Sequence, residues 1–427
     1  MKINGLRWYI VSLVGLATVI NYIDRNALGI LWPQISLDLG FSEQASKNAY
    51  ATISVFFLIS YAISKGLSGR LFDIIGTRLG FVISIVVWSG SAMLHAFASG
   101  AMSLSIFRAM LGAGEAGNWP GATKSNAEWF PVKERALAQG IFNSGASLGA
   151  IISAPLIAII FSLIGWKGTF ILIGLLGLLW IFPWLYFHRG NPDVSPLISE
   201  EEREYILKGS IAENGPTEKI EKGLTWGELL AYRETWAIII CRFLLDPIWW
   251  LFVIWLPIYL NDSFGFNIKE IGAFAWVPYL GAAIGSIFGG WLARKFIVNG
   301  WTIDKTRKVI ISASGVFMLI GLIAGAYASS PVVAMLLIAT VLFGFQMAIG
   351  NIQTMPSDYF SGKSIGTLSG LGEAAAAAGT ILLSTYMIPY LSKESYMPVF
   401  MLGALLVPIG IAAIFILGGT IQRKTIK

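Results

Sequence analysis

Apolar residues run through this chain in stretches long enough to cross a lipid bilayer as helices, which takes about 20 residues each. About twelve such stretches can be traced. The first six lie near residues 8–31, 48–67, 79–98, 103–122, 136–164 and 168–187; the second six near 236–260, 271–296, 309–328, 331–353, 366–391 and 398–418. The polar segment 189–234 separates the two sets. Helices satisfy their own backbone groups in hydrocarbon, so the pattern predicts an all-α membrane protein. It would have 12 transmembrane helices in two six-helix lobes, residues 1–188 and 235–427, around a central cavity, with 189–234 as a cytoplasmic linker. Within the linker, Ser199 followed by a run of acids reads as a capped helix, and 224–232 as a second short amphipathic helix.

Composition agrees: 56% of the 427 residues are hydrophobic and only 13% charged, with a mean hydropathy of +0.70. The net charge of +6 raises the question of nucleic acid, but the basic residues sit in short connections and form no phosphate-binding face. One set of connections holds Arg70, Arg78, Lys124, Lys133, Arg135, Arg294, Lys295, Lys305, Arg307, Lys308 and Lys363; the opposite set holds only Lys47, Lys167, Lys269 and Lys393. That asymmetry predicts both termini in the cytoplasm, as an even number of spans requires. The first apolar run is too long for a signal-peptide core and reads as a retained span. A single cysteine, Cys241, and two histidines, His95 and His188, leave no disulfide and no metal cluster to build. Metal-ligand spacing, a nucleophile elbow and a phosphate loop are all missing, so no catalytic residues and no cofactor are expected, and the chain reads as a non-enzyme.

Charges inside the apolar runs change the picture most. Residues 107–120, FRAMLGAGEAGNWP, carry Arg108 and Glu115 seven positions apart, two turns along one face of a helix. Each charge at that depth costs roughly 3 kcal/mol on insertion scales, so it must face a wet cavity or a partner. A buried binding and protonation site is the preferred reading; a structural ion pair is the other. In the first run, Asp24 and Arg25 are adjacent, about 100° apart on a helix, and cannot share a face. Asp24 reads equally as a titrating acid or a salt-bridge partner. Two acids and two arginines suit carriage of an anion with protons: an arginine fork holds a carboxylate, and each acid is neutralised before the loaded carrier changes its facing. Tyr22, Tyr61, Asn143 and Ser144 could meet a polyol body. In the second half, Arg242 and Asp246 form an i,i+4 pair, read as structural. Trp276, Tyr279, Asn351 and Glu373 add candidate substrate contacts, Glu373 as either a cavity acid or a gate contact.

Residues 66–78, GLSGRLFDIIGTR, resemble the cytoplasmic loop signature of the major facilitator superfamily, echoed faintly at Gly289–Arg294 and Asp304–Lys308. Glycines there are expected to make a tight turn, with Asp73 capping a helix start or pairing with a cation. A closer resemblance, to bacterial hexuronate transporters of the anion:cation symporter branch, rests on Gly5–Tyr9, Asn21–Arg25, the Arg108/Glu115 spacing, Lys124–Arg135 and Arg242–Trp249. It implies two lobes rocking around a central site and proton-driven uptake of a sugar acid, by a monomeric carrier of the bacterial inner membrane with no partner but lipid and solute. It also implies Asp24 and Glu115 as proton-coupling acids, Arg25 as ligand of the substrate carboxylate, Arg108 beside the glutamate it tunes, and Tyr61 on the substrate. The chain departs in two places. Some hexuronate members lack an acid at Asp24, which looks more like the galactonate type. Ala146 and Ser147 stand where that type has a glutamine, which moves sugar contacts toward Asn143. Glu373 has no counterpart in the pattern. A galactonate-type symporter and a proton-driven exporter are the competing readings; Ala150 following Gly145 and Gly149 weakens the exporter. A transporter-like sensor would need an output domain, for which the tail after Gly418 is too short.

Overall fold

The computed structural model describes residues 2–211, 223–266, 274, 276–360, 362–392 and 395–424. Among them the secondary structure is helical apart from one isolated bridge, Ile3 to Ile198. The N-terminal half contains α1 (Leu6–Asp38), α2 (Glu43–Leu94), α3 (Ala101–Glu115), α4 (Asn118–Trp129) and α5 (Val132–Phe187). Two of these are each a pair of spans: α2 turns back at Gly76 and α5 at Gly165, where positive φ values of 79° and 66° suit glycine. With α3 and α4 forming one interrupted span, the half has six. The C-terminal half contains α8 (Arg233–Phe264), α9 (Val277–Val298), α10 (Ile303–Gly325), α11 (Pro331–Ile352) continued by α12 (Met355–Tyr359), α13 (Ile365–Ile381) continued through a π-helical stretch into α14 (Ile388–Leu391), and α15 (Met397–Gly418). That is again six spans. Among the described residues, seven helices are long and apolar enough to cross a membrane, the doubled α2 and α5 each counted once. The start expected for the eighth span near 271, and Lys269 and Lys393, lie outside the described residues.

The linker is docked at both ends. Helix α6 (Glu200–Ile211) begins with Ser199, whose Oγ accepts from the Glu202 amide at 3.2 Å. Glu202 in turn accepts from the amides of Leu6 and Arg7, at 2.8 and 3.2 Å, so a linker carboxylate caps α1. Helix α7 (Trp226–Leu230) opens with a Thr225/Glu228 capping box and seats Leu229 in the C-terminal core. One linker helix therefore belongs to each lobe.

The expected glycine turn over 66–78 is reduced to Gly76. Gly66 and Gly69 are inside α2, and they matter for packing: a side chain at Gly69 would collide with the Gly366 carbonyl of the other lobe. Asp73 does cap a helix start, but across the lobe interface. Its carboxylate accepts from the amides of Gly366 and Thr367 at 3.1 and 2.6 Å, at the N-terminus of α13. Lys124 approaches Asp73 to 3.1 Å and donates to the Gly362 carbonyl at 3.3 Å. A second seam joins α5 to α9, where Ser286 donates to the Gly140 carbonyl at 2.7 Å. Arg294 of α9 meets Glu134 of α5 at 3.3 Å. These contacts pull the lobes together on the side that bears both termini. Several basic residues read as loop charges are in fact interior. Arg307 is fully buried between Asp358 (3.0 Å) and Asn351 (3.1 Å), and Lys124 and Arg135 are buried as well.

Candidate functional site

Between the lobes lies a narrow cavity of about 40 Å³. From the N-terminal lobe it is lined by Tyr22, Tyr61, Lys65, Trp119, Asn143 and Ala146. From the C-terminal lobe it is lined by Arg242, Asp246, Trp249, Trp250, Gln353 and Glu373, with Phe345, Gln346 and Ile349 beside them. Its lining carries tryptophan and tyrosine rings and paired charges, and the two meet where Lys65 lies 4.5 Å over the Tyr61 ring.

Arg25 lies behind the aromatic rings. Its guanidinium carbon is 5.1 Å from the Tyr22 ring centre, 4.8 Å from Tyr61, 5.8 Å from Trp119 and 5.7 Å from Trp250 of the opposite lobe. Such stacking suits arginine, whose planar, weakly hydrated cation tolerates a ring cage. Its Nε and Nη2 donate to one oxygen of Glu115 at 3.0 and 2.7 Å, and Nη2 also reaches Asn21 at 3.2 Å. Glu115 is thus paired with Arg25. That pair joins two helices, as the alternative reading of 107–120 as a structural ion pair had it, while Arg108 donates through both terminal nitrogens to the Arg25 carbonyl, each at 3.3 Å. The contact is made by long side chains crossing between helices: Arg25 reaches from α1 to Glu115 on α3, and Arg108 reaches from α3 to the α1 backbone. Asp24 points away from Arg25 as adjacent helical residues must, and is 1% exposed. Neither of its oxygens has a hydrogen-bond partner among the described residues, nor do Glu115 Oε1, Arg25 Nη1 and Arg108 Nε.

The charged lining is more fully paired. Arg242 holds Asp246 with two hydrogen bonds, 2.6 and 2.8 Å, as the i,i+4 spacing predicts. Glu373 bridges the lobes: one oxygen accepts from Lys65 at 2.8 Å, and the other lies 2.7 Å from Arg242 Nη2. Asn143 crosses the interface too, donating to Gln353 at 2.6 Å.

The other expected site residues are placed as follows. Tyr22, Tyr61, Asn143 and Glu373 line the cavity, Arg25 stands one layer behind, and Asp24, Arg108 and Glu115 lie behind Arg25. Tyr279 is set back, packed edge-on against Trp249 with ring centres 6.0 Å apart. Trp276 is 44% exposed at the start of α9, away from the cavity. Asn351 is fully buried away from the cavity, bound to Arg307 and the Met347 carbonyl. Lys65 and Trp119 are cavity residues that went unread in the sequence. Lys65 closes an apolar run and looks like its polar boundary; Trp119 sits beside Glu115 in a stretch read for its charges.

Chemically, the arrangement offers a caged guanidinium with a displaceable carboxylate, rings for stacking and amides for hydroxyl groups. Among the described residues no group of three or more histidine, cysteine or acidic side chains could hold a metal ion.

The Major Facilitator Superfamily profile matches residues 14–384. The chain is 34% identical over 385 residues to the hexuronate transporter of Escherichia coli (strain K12), a match covering 89% of this chain and 87% of that protein. It is 34% identical over 322 residues to the galacturonate transporter of Dickeya chrysanthemi, covering 74% and 90%. The fold also matches the solved structure of the proton:xylose symporter XylE bound to 6-bromo-6-deoxy-D-glucose, with a TM-score of 0.72 over 97% of this chain and 96% of that one, at 15% identity. With its six-plus-six helical plan, central interlobe cavity and full-length relatives, the chain is a multi-pass membrane protein that belongs to the major facilitator superfamily.

Proposed function

We propose that the protein is a proton-coupled symporter that takes up a sugar acid, a hexuronate such as glucuronate or galacturonate, across the bacterial inner membrane. In this reading it works as a monomer, with both termini cytoplasmic and protons as the coupling ion. The observation that carries the reading is the Arg25–Glu115 pair inside a ring cage at the lobe interface. A fork already engaged by one carboxylate is a fork of the right shape for another. The 34% identity to a hexuronate and a galacturonate transporter supports the same substrate class.

The steps follow from charge. Asp24, Glu115, Arg25 and Arg108 sum to zero when all are ionised. A substrate carboxylate that takes Arg25 would leave Glu115 as an unpaired buried anion, which is costly. A proton on Glu115 removes that charge and releases the guanidinium, so anion and proton load together. Asp24, buried with no hydrogen-bond partner among the described residues, is the second acceptor in this reading. Tyr22 and Tyr61 face the sugar, and Asn143 and Gln353 meet its hydroxyl groups. The cavity is far below the roughly 300 Å³ of a small-molecule pocket. Loading in this reading requires the lobes to part, and the contacts at Asp73 and Ser286 on the side of the termini support a first opening on the other side. Trp276 and Asn351 contact substrate, in this reading, only if that motion brings them in.

The test is counterflow in vesicles reconstituted with the purified protein and loaded with unlabelled glucuronate. External labelled glucuronate should accumulate transiently, and an inward proton gradient should drive net uptake. No exchange of glucuronate or galacturonate, with exchange of galactonate, would move the protein to the aldonate class; exchange of none of them would end the sugar-acid reading.

A further inference from the structure

Glu373 is the only acid in α13, in a sequence otherwise of small and apolar residues (Ala374–Ala378, Gly379). Here α13 packs tightly on α2, with Gly66 close to Ala374 and Gly370 against the Lys65 carbonyl. Across that seam Glu373 grips Lys65, which lies 4.5 Å over the Tyr61 ring, and it reaches Arg242 on its own side. Four charged side chains line the cavity: Lys65 and Arg242, Asp246 and Glu373. Asp246 already occupies the fork of Arg242. Glu373 is therefore the carboxylate that consumes the cavity's remaining positive charge.

We propose that Glu373 is a built-in carboxylate that occupies the Lys65–Arg242 cation pair and so restricts the site to sugar acids with a single carboxylate. A mono-acid needs one cation, and Arg25 provides it. An aldarate, with a carboxylate at each end, needs a second. That position is filled by an anion that repels the incoming one, and exclusion of this kind sets selectivity through the disfavoured partner. Removing the carboxylate leaves Lys65 facing the cavity unpaired, and the preference should move toward dianions. The inference rests on the reading of the cavity as a sugar-acid site.

The test measures binding of glucuronate and of galactarate to the purified full-length protein by calorimetry. The wild type should bind glucuronate in preference to galactarate. In Glu373→Gln the ratio of their dissociation constants should shift toward galactarate by at least tenfold, and Lys65→Met added to that variant should reverse the shift. Glu373→Ala, which matches the alanines that follow, carries the same expectation if the glutamine variant does not fold. An unchanged ratio, or an equal loss of both ligands, overturns the inference while glucuronate binding by the wild type leaves the proposed function standing. If the wild type binds no sugar acid, the proposed function falls and the inference falls with it.

Discussion

The two lobes hold their buried charges in opposite ways. In the C-terminal lobe, Arg242 is chelated by Asp246 and touched by Glu373, and Arg307 is tied to Asp358 and Asn351. In the N-terminal lobe, Arg25 and Glu115 share one oxygen, and Asp24 is paired with nothing among the described residues. An unmade hydrogen bond on a buried group costs about 1–3 kcal/mol, and more on a charged one. The N-terminal lobe keeps an acid with no partner, Asp24, near the cavity; in the C-terminal lobe Glu373 Oε1, Arg307 Nη2 and Asp358 Oδ1 also make no hydrogen bond among the described residues, but each of those side chains is held in an ion pair. The contrast separates a set of charges that must exchange partners from a set that holds helices in register.

Four substitutions break or sharpen that contrast. Glu115→Gln should abolish accumulation of glucuronate against a gradient while exchange persists, because the side chain can no longer take up and release a proton. Proteoliposomes with an imposed pH gradient measure this, and a variant that still concentrates substrate would clear Glu115 of coupling. On the saturated side, Arg307→Met should cost about 3–5 kcal/mol of stability, since it strands Asp358 as an unpaired buried anion. Thermal unfolding in detergent reads that loss; a normal melting temperature would mean the C-terminal pairs are not structural. Arg25→Lys should weaken glucuronate binding by about 3 kcal/mol, roughly a hundredfold, because a point charge cannot replace a bidentate fork. Calorimetry checks it, and unchanged affinity would remove Arg25 from the site. The smallest effect is expected at the seam. Asp73→Asn puts an amide donor where one of the two acceptor oxygens capping α13 stood and removes the charge beside Lys124, a loss of about 2 kcal/mol. A cysteine placed at Ser68 should then react with thiol reagents several times faster; no change would show that the seam is held by packing alone.

Much of this was legible along the chain. Twelve apolar runs and one polar break predict six spans on each side of a linker, and Ser199 is found at the start of the linker helix it was read to cap. The Arg242–Asp246 pair followed from i,i+4 spacing alone. The misses share a cause. Arg307 and Lys124 look like loop charges because they end apolar runs, yet both are interior. Lys65 looks like a boundary, and its partner Glu373 is 308 residues away. Asn351 was expected at the cavity and lies with Arg307.

By itself, then, the sequence determined the number of helices, their grouping in two halves and the presence of buried charges, because hydropathy and helical spacing act over a turn or two. Tertiary structure alone decided which charge meets which. Ion pairs form between whatever atoms packing brings within reach, and packing here is set by glycines such as Gly69 that let helices from different lobes approach. Glu373 went to Lys65 of the other lobe for that reason, and Glu115 went to Arg25 of α1 and not to its own helix's Arg108.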